Sequence, residues 1–434
     1  MNKSRFHTKA CLVFGNMLSS AKTPHDLEII QRSLGTDLSK MGAVVSLPVC
    51  EPGEIFGPVT FPEYLFRDYV VPYFRFPYTY IIHHEPLYRP MLAIDYTVTF
   101  DTNFATYVKA IVRNGSLEGQ QEEVKHAMDE ILYNNVNFDL FFYFVENIKV
   151  AYPIVLRTRN REFKSGLTFW KLLDKDFRWN IVCLKLFRNV DNRHYQETRM
   201  LKFNIGFREA VRESIDFTYK FYASAEGKEL IGEILLPLQR LILVELLAIL
   251  RIEFSSKKGP REKLKQFLDF VQDKGWVYLE RETILAHRYF KSRLAVPMLE
   301  KINRGGEQRG LLKKIDNLAW DMTAVRFMEM MFTRQEKGDY MIPFLFSFDN
   351  NLRDLVRSFP AKAVIIDRMS NGVLTVPELN TREYFEKEGC GDIIASFFSE
   401  EKMSERFSRG RVEAREQLSH IRKEYKALRM VLES

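Results

Sequence analysis

The sequence predicts an α/β fold, a parallel-sheet core interrupted by a large, mainly helical insertion. Three observations point there. The same local pattern of apolar strand, acidic residue and helix start occurs at Asp101 and again at Asp349. Between the two, apolar residues recur mostly at helical spacing. The composition of the 434 residues, 46% hydrophobic and 28% charged, supplies ample core material and excludes a disordered chain. With 35 phenylalanines against 21 glycines, it favours bulky, largely helical packing over loops.

Residues 1–90 read as a mixed region. A helix is expected over 23–40. Pro48, Pro52, Pro58, Pro62, Pro72, Pro77, Pro86 and Pro90 then interrupt regular helices and suggest extended segments and turns. Residues 91–115 form the first part of the core. Leu92, Ile94, Tyr96, Val98 and Phe100 alternate as on one face of a strand. From Thr102 the spacing becomes helical, with Phe104, Tyr107, Val108 and Ile111 on one side and Asp101 at the junction.

Residues 116–230 are the insertion, with helices expected over 120–133, 162–177 and 194–222. Residues 231–375 hold the rest of the core with helical elaboration: helices over 229–254, 262–273, 280–302 and 311–332, separated by the basic turn SSKKGPREKLK and the break RGGEQRG. The run YMIPFLFSF at 340–348 is an apolar strand ending at Asp349, a helix starts near Asn351, and AVIID at 363–367 is a second strand. Residues 376–434 form a C-terminal helical region whose last helix, 400–433, carries charges of both signs. No internal repeat is visible.

Cys11, Cys50, Cys183 and Cys390 lie far apart without C-x-x-C spacing. That argues against structural zinc and a disulfide framework, and for a reducing, cytoplasmic setting. The first twenty residues lack the apolar run and cleavage signal of a secretory peptide. The stretch 231–250 is apolar but contains Glu233, Gln239, Arg240 and Glu245, so a buried helix and no membrane partner is the expectation. A net charge of +7 and a pI near 9.0 fit a polyanionic partner and fit ordinary surface charge equally well.

The chemistry follows from the acids. At the carboxyl ends of parallel strands Asp101 and Asp349 can converge on one crevice. Between them Asp316 and Asp321 sit at the start of a helix whose Ala324, Val325, Met328 and Phe332 would pack inward. Gathered carboxylates repel one another unless a cation neutralises them. Hard oxygen ligands with few histidines suit Mg²⁺ or Mn²⁺, which can activate water for phosphodiester cleavage.

In this order the elements resemble PIN-like metal-dependent nucleases. Strand-Asp-Thr-Asn-helix at Asp101 to Asn103 is similar to the family's opening. D-x-x-A-V at Asp321 to Val325 is similar to its mid-domain helical aspartate, and strand-Ser-x-Asp at Ser347 to Asp349 to its later acidic strand. The family's helical glutamate is best matched by Glu245 in LPLQRLILVELLAIL. The resemblance implies that Asp101, Glu245, Asp321 and Asp349 bind the metal and act in catalysis. It also implies that Asn103 and Ser347 orient the metal or the substrate from behind, with Asp316 the substitute if Asp321 faces away. The implied substrate is RNA or single-stranded DNA, and a toxin or defence role would be an extension of the same likeness. The spacing departs from the family: a compact PIN domain has its first aspartate and glutamate tens of residues apart, which here requires a helical domain inserted into the core.

Each residue also has a plainer reading. Asp101 and Asp349 fit helix N-caps; Glu245 fits an ion pair with Arg240 or Arg251; Asp316 fits the first turn of its helix. His83 and His84 are neighbours in an extended segment and would point to opposite faces, which argues against a shared metal. No serine or cysteine nucleophile with a histidine partner, and no Gly-rich phosphate loop, is visible. Lys257, Lys258, Arg261, Lys263 and Lys265 are candidates for phosphate contact or a solvated loop. So are Arg304, Arg309, Lys313 and Lys314, which precede Asp321 and would guide a strand. The C-terminal helix, with Arg406, Arg409, Arg411, Arg415, Arg422 and Lys423, suits self-association or a protein partner. The competing function is a non-catalytic helical nucleic-acid-binding or scaffold protein with a degenerate PIN-like part.

Overall fold

The computed structural model describes residues 3–34, 41–49, 59, 61–74, 78–82, 94–115, 117, 121–157, 165–274, 277–300, 302–303, 310–331, 340–367, 372–409 and 414–433. In chain order the elements are α1 (Lys3–Ser20), α2 (Pro24–Leu34), β1 (Met41–Leu47), β2 (Val70–Pro72), β3 (Tyr78–Ile82), β4 (Ile94–Phe100), α3 (Thr102–Asn114), α4 (Glu122–Tyr133) and β5 (Phe138–Asp139). Then come α5 (Phe141–Glu146), α6 (Ile148–Arg157), α7 (Gly166–Leu172), α8 (Lys175–Arg188), α9 (Asn192–Thr198), α10 (Phe207–Tyr222) and α11 (Ala225–Glu229). A π-helical turn (Leu230–Leu235) leads into α12 (Leu236–Ser255), α13 (Pro260–Asp273), α14 (Glu280–Lys291), α15 (Pro297–Glu300) and α16 (Leu311–Met331). The chain ends with β6 (Tyr340–Phe346), α17 (Asn350–Ser358), β7 (Ala361–Asp367), β8 (Gly372–Pro377), α18 (Thr381–Lys387), α19 (Gly391–Phe397), α20 (Glu400–Arg409) and α21 (Ala414–Glu433).

The fold is mixed α/β and mostly helical. The chain divides into two compact units, residues 1–231 with 326–378, and residues 232–325 with 379–434. All eight strands among the described residues belong to the first. They form two four-stranded sheets, ordered β3-β1-β7-β8 and β2-β6-β4-β5. The helices of 122–222, expected as an insertion apart from the core, belong to the same unit as the strands. The expected continuous core 231–375 is shared between both units, which divide within α16.

The first sheet is antiparallel throughout. Its buried face meets α1 and α2, where Phe14, Leu18, Leu27 and Ile30 join Ala43, Val45, Leu47, Ile365 and Val376 in one apolar cluster. The N-terminal region, read only as mixed from sequence, thus supplies half of a sheet completed by residues near 370. The helix expected over 23–40 is Pro24–Leu34 in the described residues, and 35–40 lie outside them.

The second sheet carries the parallel strands. β4 pairs in parallel with β6, from Ile94↔Tyr340 to Phe100↔Phe346, and with β5 at Val98↔Phe138. The expected one-faced alternation in β4 holds only in part, because Thr97 and Thr99 are buried as well as Val98 and Phe100. Parallel strands are commonly covered on both faces, and Thr97 satisfies its hydroxyl by donating to Asp139 at 2.8 Å. Phenylalanine fills the space beneath: Phe100 stacks on Phe104 and meets Phe138 and Phe346 edge-on.

In the second unit α12 is buried on nearly every side and packs against α13, α14 and α21. This accounts for the apolar stretch 231–250, and no helix among the described residues is long and apolar enough to cross a membrane. Its charged end is satisfied at the margin, where Arg251 pairs with Glu424 at 2.6 Å and Glu253 with Lys263 at 2.8 Å.

Candidate active site

β4 and β6 run side by side in register, so the residues that follow Phe100 and Phe346 emerge together at their carboxyl ends. From there the chain leaves in different directions. After β4 it continues through α3 and α4 to β5, on the far side of β4; after β6 it enters α17, which packs against β2. In open α/β sheets ligands bind where adjacent parallel strands diverge in this way at their carboxyl ends, and Asp101, Ser347 and Asp349 lie at that point.

Each acid begins a helix. Asp101 caps α3, accepting from the Phe104 N–H at 3.0 Å, and Gly115 closes that helix in the left-handed region at φ 69°. Asp349 caps α17 through Oδ1, which accepts from the N–H groups of Asn351 at 2.8 Å and Leu352 at 3.4 Å. The two are linked by one hydroxyl. Ser347, fully buried, donates its O–H to Asp101 Oδ2 and accepts from the Asp349 N–H at 2.9 Å. Its own N–H is anchored on the Tyr69 carbonyl at 3.0 Å.

Capping and convergence therefore coexist. Asp101 is 3% exposed, whereas Asp349 is half-buried. Burial pushes the Asp101 carboxyl up to about 6, and the nearby Asp349 charge pushes the same way, against the hydrogen bonds from Ser347, Phe104 and Asn103. Burial, aided by the charge of Asp101, also raises the Tyr107 phenol, whose ring meets Phe348 edge-on.

Two further buried acids lie at this end of the sheet. Glu146, at the end of α5, accepts from the Thr102 N–H at 2.7 Å and from the Thr102 hydroxyl. Asp139, at the end of β5, accepts from Thr97 and from the Phe141 N–H at 2.7 Å. Sequence reasoning passed over both. The signal was present in FDLFFYFVEN, an apolar run holding two acids 38 and 45 residues after Asp101, but β5 is only two residues long and gives no period to read.

Asn103 is exposed in the first turn of α3. Glu245, 1% exposed in α12, Asp321 and Asp316 in α16 all belong to the second unit. Asp316 Oδ1 accepts there from Gln239 Nε2 at 2.8 Å. Of the two arginines proposed for Glu245, Arg251 pairs with Glu424. Lys313 and Lys314 are exposed near the start of α16, while Arg304, Arg309, His83 and His84 lie outside the described residues. A histidine–cysteine pair does form in the second unit, with Cys390 Sγ 3.8 Å from His287 Nε2. Burial pushes the thiol up and the imidazole down, which leaves both neutral and makes the pair a poor nucleophile.

Among the described residues, no three histidine, cysteine, aspartate or glutamate side chains group as a metal cage. The donor chemistry of Asp101, Asp349 and Ser347 nonetheless suits Mg²⁺ or Mn²⁺. Such ions take hard oxygen ligands and are commonly held by one or two carboxylates, with water and substrate phosphate completing the shell. The described hydrogen bonds of Asp349 engage Oδ1 alone, leaving Oδ2 for that purpose. No protein-family model, no characterised protein and no solved structure matches the chain.

Proposed function

We propose that the chain is a metal-dependent nuclease that hydrolyses phosphodiester bonds of RNA or single-stranded nucleic acid in the cytoplasm. The observation that carries this reading is the pair Asp101 and Asp349, joined through Ser347 at the carboxyl ends of adjacent parallel strands. Its PIN-like character rests on the order of those elements in the sequence. When bound, Mg²⁺ or Mn²⁺ supplies Lewis-acid stabilisation of developing charge and acidifies water. Asp101 and Asp349 are the residues that would hold it. Ser347 fixes the Asp101 carboxylate by donating to one oxygen, and the Phe104 N–H fixes the other. Asp101 must release its proton to become a ligand, so the site favours cation binding above pH 6. Glu146 fixes the first turn of α3 by holding Thr102.

Incubation of the full chain with mixed RNA and single-stranded DNA, in Mg²⁺, Mn²⁺ or EDTA, tests the proposal. Cleavage confined to the metal-containing samples is expected, and the substrate consumed decides between RNA and DNA. Metal-independent binding with no cleavage of either would overturn it in favour of a non-catalytic nucleic-acid-binding scaffold. A toxin or defence role predicts growth arrest on expression, relieved by Asp101→Asn.

A further inference from the structure

We propose that the exposed face of α21 binds the phosphodiester backbone of a nucleic-acid strand. Within the second unit α21 packs against α12, and it buries Gln417, Ile421, Leu428 and Leu432. A different face presents Arg415, Ser419, Arg422, Lys423 and Lys426, which line a shallow hollow of about 380 Å³. Those positions recur at spacings of four, three, one and three residues, so they form one stripe. Over these twelve residues, eleven helical rises, the stripe is about 16 Å long. That is enough to follow several phosphates, spaced about 3.4 Å along one strand of a duplex.

Two of the helix's three glutamates are engaged by arginines: Glu424 pairs with Arg251 and Glu433 with Arg429, both at 2.6 Å. The third, Glu416, lies 4.0 Å from His420. Among the described residues Arg415, Arg422, Lys423 and Lys426 have no carboxylate within ion-pair distance. Lys274, from the turn after α13, acts on His420 together with Lys423 and adds another cation nearby. A stripe of uncompensated cations is complementary to a polyanion and supplies sequence-independent affinity by counterion release. A bilayer surface fits less well. A helix enters lipid by burying an apolar face, and Ile421, Leu428 and Leu432 are already buried within the unit.

The inference does not depend on the catalytic reading and is tested without metal. Full-length protein is titrated against a fluorescein-labelled 20-nucleotide single-stranded RNA in EDTA, from 50 to 300 mM salt, by anisotropy. The variant Arg415→Gln/Arg422→Gln/Lys423→Gln/Lys426→Gln is expected to bind at least about tenfold more weakly at 100 mM salt. Its salt slope should be shallower by about 3, at about 0.7 per lost phosphate contact. Unchanged affinity and slope in the fourfold variant, with the parent's helicity, would overturn the inference, as would no RNA binding by the parent. Tighter binding to phosphatidylserine vesicles than to RNA would assign the face to a membrane and overturn it too. A chain that binds RNA through α21 and cleaves nothing would leave this inference standing and remove the nuclease.

Discussion

Replacing Asp101 by asparagine should stabilise the protein at neutral pH while removing its function. The folded chain raises this carboxyl from an ordinary 3.8 to about 6, chiefly by burying it. Between those values the folded state keeps a proton that the unfolded chain has released, so stability falls as pH rises through the window. Below pH 3.8 the group costs nothing; above pH 6 the full cost applies, about 3 kcal/mol at about 1.4 kcal/mol per pH unit. Asparagine keeps the helix cap and carries no charge. It offers an amide N–H to Ser347 where an oxygen accepted before, a loss of about 1 kcal/mol. The net expectation is a variant more stable by about 2 kcal/mol at pH 7.5 and slightly less stable at pH 4. Urea unfolding followed by circular dichroism at both pH values reads the difference. The difference between the pH values, about 2–3 kcal/mol, is the sharper quantity because the hydrogen-bond loss cancels in it. A constant offset between parent and variant across that range would refute the reasoning, since Asp101 would then titrate alike in the folded and unfolded chains. Saturating Mn²⁺ should restore stability to the parent at pH 7.5 and leave the variant unmoved.

Ser347→Ala removes the hydroxyl that holds Asp101 down and accepts from Asp349. It should cost about 1–2 kcal/mol and move the acid limb of the cleavage profile to higher pH; an unmoved limb in a pH–rate series would count against Ser347 as the positioning residue. Gly227→Ala places a methyl 2.3 Å from the Phe221 carbonyl oxygen and 2.6 Å from that of Lys220. Because the obstacle is backbone, a loss of about 2 kcal/mol or more is expected in thermal melts, and an unchanged melt would show that the α10–α11 turn yields.

The parts of the site that were legible in the sequence are the local ones. At β4–Asp101–α3 and β6–Asp349–α17 the apolar period changes at an acid, and that acid caps the following helix. The serine two residues before Asp349 has its orienting place because β4 and β6 end in register. Glu146 was missed for the opposite reason: its position depends on a two-residue strand and on a contact with Thr102, neither of which leaves a period. Glu245 stands out in the sequence in its place, and its apolar surroundings are explained by α12 lying in the core of the second unit. Helix breaks were overlooked where a cap intervenes. The segment 162–177 divides at Leu173, before the Asp174 cap, and 194–222 divides after Arg199, which adopts φ 58°. Of the first sheet only β7 was legible, as AVIID; its pairing was not, because β1 lies more than three hundred residues away and local pattern carries no such pairing.

A shared site requires Asp101 and Asp349 to act together. Single-turnover cleavage of labelled single-stranded RNA and DNA in Mn²⁺, by the parent, Asp101→Asn and Asp349→Asn, measures that directly. Each asparagine keeps its cap, so folding is preserved, and each variant should lose about a hundredfold or more in rate, with the double variant scarcely worse than either single one. Full activity in either variant would contradict the shared site.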